Sequence, residues 1–180
     1  MRRVLLVAIL FMVATFAGAA VYPQFSLENL VDRSPTIVEG RVTRSFAAWD
    51  PDHKYIWTHY ELQVSDRLRG GAQTVTVSEP GGRLDGINMM SSGAQPYVNG
   101  EHVLLFMFKT PIGYWRTQGG GQGKFTVGVD GRVASGARIM ELNGTPAGTN
   151  LSSVDRMELS QFKSLVRRMV QTRPTPKEEK

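Results

Sequence analysis

The 180-residue chain contains no cysteine. That excludes a disulfide framework, a thiolate metal site, a thiol nucleophile and a cysteine-borne lipid anchor. Catalytic signatures are also missing: no serine sits in G-x-S-x-G, and His53, His59 and His102 have no HExxH spacing. Gly119 to Lys124 lacks a phosphate loop's first glycine, because Gln118 stands there, and has Phe125 where Ser or Thr is required. Asp50, Asp52 and Glu61 match positions 1, 3 and 12 of a calcium loop, but Lys54 and Tyr55 stand at positions 5 and 6. Nothing here calls for a cofactor, and the expectation is a non-enzyme.

What is present begins at the N-terminus. Arg2 and Arg3 precede an apolar run from Val4 to Phe16, and Ala17-Gly18-Ala19-Ala20 follows. A basic start, a short apolar stretch and small residues at the cut describe a secretory signal peptide. An uncleaved anchor is the alternative, although 17 residues is short for a span. Cleavage after residue 19 gives a mature start at Ala20, with Val21 close behind. The expected domains are a signal peptide over 1–19, one β domain over 20–172 and a disordered tail over 173–180. Formal charge falls from +5 to +3 on cleavage, which is ordinary surface balance and predicts no nucleic-acid partner.

Val103 to Phe108 is apolar at every position, which predicts a central strand covered on both faces and too short to cross a membrane. Around it, Ile56, Thr58, Tyr60, Leu62 and Val64 alternate with Tyr55, Trp57, His59, Glu61 and Gln63. Strands are also predicted over Thr36–Phe46, with Gly40 marking a bulge, and over Thr74–Ser78. A hairpin partner is expected at Tyr114–Thr117, and another short strand at Ile139–Leu142. Phe125, Val127 and Val129 alternate into Asp130-Gly131, a two-residue hairpin signal. Ser26 caps a short helix to Arg33, and Leu159 to Gln171 is amphipathic, with Lys163, Arg167 and Arg168 on its polar face. Glu79 to Asn99 reads as a long aperiodic connection, and Gly119 to Gly123 as a flexible turn. The predicted fold is mainly β, a small closed Greek-key barrel of the OB type with a helix at each end; a β-sandwich is the alternative.

Ile37-Val38-Glu39-Gly40-Arg41-Val42, Leu68-Arg69-Gly70, Glu79-Pro80-Gly81-Gly82, Gly100-Glu101-His102-Val103-Leu104-Leu105-Phe106 and Gln122-Gly123-Lys124-Phe125 occur in that order. Together they resemble a group of uncharacterised, signal-peptide-bearing bacterial proteins, over about Thr36 to Val129. More remotely, the layout is similar to the netrin-like OB barrel of the tissue inhibitors of metalloproteinases. That resemblance implies inhibition of an extracellular protease as an alternative function. The family's mechanism uses an N-terminal cysteine to chelate zinc, and this chain has none to match.

The main functional expectation is an exported, non-catalytic module that binds a protein or a carbohydrate, with no membrane contact after cleavage. Tyr55, Trp57 and His59 form a ring stripe whose planar faces can stack on a ligand. Packing beneath the terminal helices is the competing reading of that stripe. Within the long connection, Arg83, Asp85, Asn88 and Tyr97 are the polar groups able to specify a partner, beside Met89 and Met90. A lid over one end of the barrel is the alternative role for that segment. Asn143-Gly144-Thr145 and Asn150-Leu151-Ser152 fit the glycosylation pattern within predicted loop.

Overall fold

The computed structural model describes residues 22–139, 142–144 and 146–176. The expected signal peptide, residues 140–141 of the expected last strand and the last four residues of the expected tail lie outside the described residues. Helix α1 spans Leu27–Arg33, and its start is held reciprocally: Ser26 Oγ accepts from Asn29 N while Asn29 Oδ1 accepts from Ser26 N. Leu27, Leu30 and Val31 are all fully buried, so the expected apolar face is the one that packs. Glu28 adds a tie to a distant loop by accepting from Thr149 N and Oγ1, both at 2.7 Å.

Two fourteen-residue strands, β2 (Thr36–Trp49) and β3 (Ile56–Arg69), form the frame. With β4 (Thr74–Pro80), β7 (His102–Lys109), β8 (Trp115–Thr117), β9 (Lys124–Val127) and β10 (Val133–Ser135) they make one sheet, ordered β10-β9-β7-β2-β3-β4-β8. Because β7 also pairs with β8, the pairings run in a ring through β7, β2, β3, β4 and β8. The ring shuts through a single parallel pair, Val77 with Trp115.

Strand β7 explains why this ring has two cores. Its odd residues Val103, Leu105 and Met107 point inside the ring, onto Val38, Val42, Tyr60, Leu62, Val75 and Val77. Its even residues Leu104 and Phe106 point the other way, onto Leu27, Leu30, Val31, Phe125, Phe162 and Val166. A six-residue apolar run has no alternation because both sides are interior. Gly40 sits where the β2–β3 register shifts, and a Cβ there would lie 2.5 Å from Gln63 O. The bulge anticipated at this glycine is therefore also a close strand-to-strand approach.

The long connection is not structureless. Gly82–Leu84 (β5) and Ile87–Met89 (β6) form a small hairpin turning at Asp85-Gly86, both with positive φ. That is the backbone a two-residue primed turn requires. Beyond it, Gln95 and Tyr97 are buried while Met90 and Val98 stay exposed, so single side chains of this second half turn inward. Two other turn expectations are corrected. Asp130-Gly131 lies within a longer connection, because Val127 pairs with Val133 and Gly128 N donates to Arg132 O. Gly120–Gly123 is an ordered single turn, pinned by Gln122, whose side chain accepts from Phe25 N and donates to Pro23 O.

Of the strand predicted over Ile139–Leu142, Ile139 instead ends a short 3-10 turn, Gly136–Ile139, and of its described residues Leu142 alone is in a strand. The strand there is Leu142–Asn143 (β11), which pairs in parallel with Tyr22–Pro23 (β1). Helix α2 (Leu159–Thr172) buries Phe162 and Val166, as its periodicity predicts. Its polar face is not simply solvated. Lys163 Nζ lies 2.6 Å from both Glu39 Oε2 and Asp66 Oδ2, Arg167 also holds Asp66, and His102 Nε2 lies 2.8 Å from Glu39 Oε1. These pairs fasten α2 across the start of β2 and the bulged part of β3. Past the helix, Arg173 pairs with Asp32, and its carbonyl accepts from Arg69 Nη2.

Candidate functional site

The two outer faces of the sheet differ. Both helices pack on the core that the even side chains of β7 share with Leu68 near the end of β3, and α2 also holds Asp66 of β3, whereas Trp57 and His59 at the start of β3 and the outward side chains of β4 are not part of that cluster. On that second face, strand register lines up a row of three residues. His59 is opposite Phe46 of β2 on one side and opposite Ser78 of β4 on the other. The Phe46 ring stacks on the imidazole at 5.0 Å, and Tyr114 meets it edge-on at 5.2 Å. His59 Nδ1 and Ser78 Oγ are 2.8 Å apart. Burial under these rings lowers the His59 pKa below its ordinary value of 6.5, so the ring is neutral at neutral pH.

Trp57, two residues back along β3, extends the same face. Tyr114 meets its ring edge-on at 5.2 Å, and the Arg116 guanidinium lies 5.8 Å from its centre. Beside this aromatic group opens a groove of about 680 Å³, bounded by Thr74, Thr76 and Ser78 of β4, Tyr114 and Trp115 of β8 and its approach, and Thr175 and Pro176 from the C-terminal segment. The volume is within the range of pockets that hold small ligands or peptide side chains.

The residues singled out from the sequence fall into three places. Trp57 and His59 belong to this face, but they pack on Phe46, Tyr114 and Arg116 rather than beneath the helices. Tyr55 precedes β3 and is largely exposed. Arg83 and Asn88 face each other across the β5–β6 hairpin, and Asp85 Oδ2 accepts from Trp49 Nε1 at 3.1 Å. Tyr97 turns into the ring, where its hydroxyl bonds Thr117 Oγ1 and its ring tilts against Tyr60. Asp50 is occupied locally, accepting from Lys54 N, and Asn150 caps a short turn through Ser152. Phe46, Ser78 and Tyr114 escape sequence reasoning because cross-strand register brings the first two to His59 and the loop before β8 brings the third.

A serine bonded to a neutral histidine raises the question of nucleophilic chemistry. Ser78 is 2 % exposed, and among the described residues no carboxylate bonds to His59. Neither the access nor the orienting acid of a hydrolytic triad is in place. The bond instead fixes the imidazole as part of a rigid floor.

Inside the ring, beneath this face, lies Glu79. Its carboxylate accepts from Thr117 N at 3.1 Å and lies 3.3 Å from Arg116 Nη2, with the residue 2 % exposed. Burial raises its pKa above the ordinary 4.5, outweighing the nearby Arg116 charge. A carboxyl whose folded pKa is raised binds more protons folded than unfolded, so its effect on stability is unfavourable as pH climbs from 4.5 upward. Glu79→Gln keeps an acceptor for Thr117 N and removes the titration. The variant should gain stability relative to wild type as pH rises above the ordinary 4.5. Urea midpoints at several pH values check this; a constant offset between the two proteins would refute it.

Comparison with known proteins yields no match of this chain to any family model, curated protein or solved structure.

Proposed function

We propose that this protein is an exported, non-catalytic recognition module, and that it holds a protein or carbohydrate partner on the outer face of β3 and β4. The observation that carries the reading is the contrast between the two outer faces. One is sealed under α1 and α2, while the other offers rings and hydroxyls around an open groove. Proteins cover apolar rings at little cost when a helix is available, so an aromatic face left beside a groove favours an external partner.

We read the five-stranded ring as an OB-type Greek-key barrel. Counted along the chain, its strands neighbour one another in the order first, second, third, fifth, fourth and back to first. Barrels of that type bind ligands on the face of their second and third strands and on adjoining loops. Here those strands are β3 and β4, and Tyr114 comes from the loop between the last two. The support is fold-level analogy, added to the site's own geometry.

The test is partner capture from native culture supernatant by the immobilised chain from Ala20 onward. Thr76→Arg places a charge in the groove, and Tyr114→Ala removes a ring; both should abolish capture while leaving the denaturation midpoint close to wild type. Arg168→Ala, on the exposed side of α2, should capture normally. Capture that is indifferent to both groove changes overturns the assignment.

A further inference from the structure

We infer that the groove takes an extended, uncharged polypeptide segment, which adds as a strand to the open edge of β4. This rests on the reading of the groove as a recognition site and names the class of partner it fits.

Backbone direction gives the first observation. Val64 N donates to Gln73 O and Gly81 N donates to Ile56 O, so the odd residues of β4 direct their peptide groups at β3. Thr74, Thr76 and Ser78 therefore direct theirs the other way, toward the groove. Among the described residues, β4 has one strand pair on that side, Val77 with Trp115. A parallel pair centred there uses Thr76 C=O and Ser78 N–H. It leaves the N–H and C=O of Thr74 and the N–H of Thr76 open, at the two-residue spacing of a strand ladder. An edge with unpaired groups is a template for another strand.

The lining gives the second. Among the described residues, no Asp, Glu, Lys or Arg borders the groove. The ligand it suits is neutral, with hydrogen-bonding groups spaced along a line and side chains that can lie against Tyr114 and Trp115. A peptide backbone meets that description.

The walls give the third. Besides β4, the groove is bordered by Gly113 to Trp115, by Pro35 and Thr36, by Gly70 to Ala72 and by the Thr175–Pro176 segment. A groove bordered by several separate segments beside β4 suits a single strand better than the whole sheet edge of a second copy. The chain's own C-terminal segment reaches the groove with Thr175 and Pro176, just after Arg173, whose backbone is extended, with φ −127° and ψ 135°, and whose carbonyl Arg69 holds.

The experiment uses fluorescein-labelled acetyl-Thr-Val-Thr-Val-Thr-Val-amide as probe, titrated with the chain from Ala20 onward and read by polarisation. One-to-one saturable binding is expected. Thr74→Val keeps the backbone and should bind like wild type. Thr74→Pro removes the outward N–H without touching the β3 ladder, at a strand start where proline is tolerated, and should bind about tenfold more weakly or worse. Independently of that variant's folding, saturating wild type with peptide should slow amide exchange of Thr74 and Thr76 about tenfold or more. No saturable binding, unchanged exchange at Thr74, or equal binding by a folded Thr74→Pro overturns the inference. Neutral hexasaccharides of glucose and of N-acetylglucosamine form a parallel arm. Their binding in place of the peptide refutes strand addition but leaves the recognition face standing, whereas the recognition reading itself falls only if partner capture ignores the groove variants.

Discussion

Phe125→Ala should destabilise the domain by about 3–5 kcal/mol. Phe125 is fully buried, and its ring lies 5.7 Å from that of Phe106 on β7 and 4.6 Å from that of Phe162 on α2. It therefore couples the sheet to the C-terminal helix. Removing it leaves a cavity between two elements that cannot close on each other, because α2 is also fixed by its ion pairs. Val129→Ala, two residues beyond β9 and fully exposed, should change stability by about 0.5 kcal/mol or less. Urea denaturation of the two variants decides the matter, and similar midpoints would mean that the helix-side core lies elsewhere.

Lys163→Met should cost about 2 kcal/mol at neutral pH. Breaking a sealed ion pair costs about 3–5 kcal/mol, but Lys163 and Asp66 each leave about a fifth of their side-chain surface in water, at 20 % and 22 %. Screening takes the figure below that range. The pH dependence identifies the cause. Burial raises the pKa of Glu39 and of Asp66, but bonds from Lys163 and its neighbours outweigh it and hold both below their ordinary values of 4.5 and 3.8. Stability from carboxyls with lowered pKa is present above the ordinary values and is lost as pH falls through the folded ones. Lys163, raised above 10.5 by the same two partners against the effect of its burial, contributes fully until pH rises past that value. The deficit of Lys163→Met should therefore be largest between about pH 5 and about pH 9, and shrink toward about pH 3. A deficit that stays constant with pH would assign the loss to packing of the lysine stem alone.

Much of the frame is legible in the residues, for physical reasons. Alternation from Ile56 to Val64 has one meaning because a strand's period is two, and Tyr60, Leu62 and Val64 do line the ring interior. The unbroken run of β7 is readable because a strand inside two cores has no polar side. Ser26 announces α1 through the chemistry of a helix start. The β5–β6 hairpin was also within reach: Asp85-Gly86 between Leu84 and Ile87 is as strong a turn signal as Asp130-Gly131, but the surrounding glycines and prolines masked it. The order in Gly120–Gly123 was not readable, because it comes from Gln122 reaching back nearly a hundred residues to Phe25 and Pro23.

The site was half legible for a similar reason. Trp57 and His59 stand out as rings within a periodic strand. Phe46 and Ser78 do not, since they join His59 only once β2 and β4 are in register with β3. Which face the helices cover is likewise a tertiary outcome. The apolar stripe of α2 would have suited either side, but Lys163 and Arg167 find Glu39 and Asp66 on only one of them.

The one-pair closure between β4 and β8 also bears on how the ring assembles. Strands β2, β3 and β4 follow one another through short turns, so their ladders form with little loop entropy to overcome. The closing contacts join parts of the chain that are far apart, as with Glu79 and Thr117 at 38 positions' separation. The three-strand meander therefore has the least loop entropy to overcome, and the seam has only one strand pair to hold it. With one pair against the two cores that hold β7, the seam is the place expected to part first when the native protein breathes.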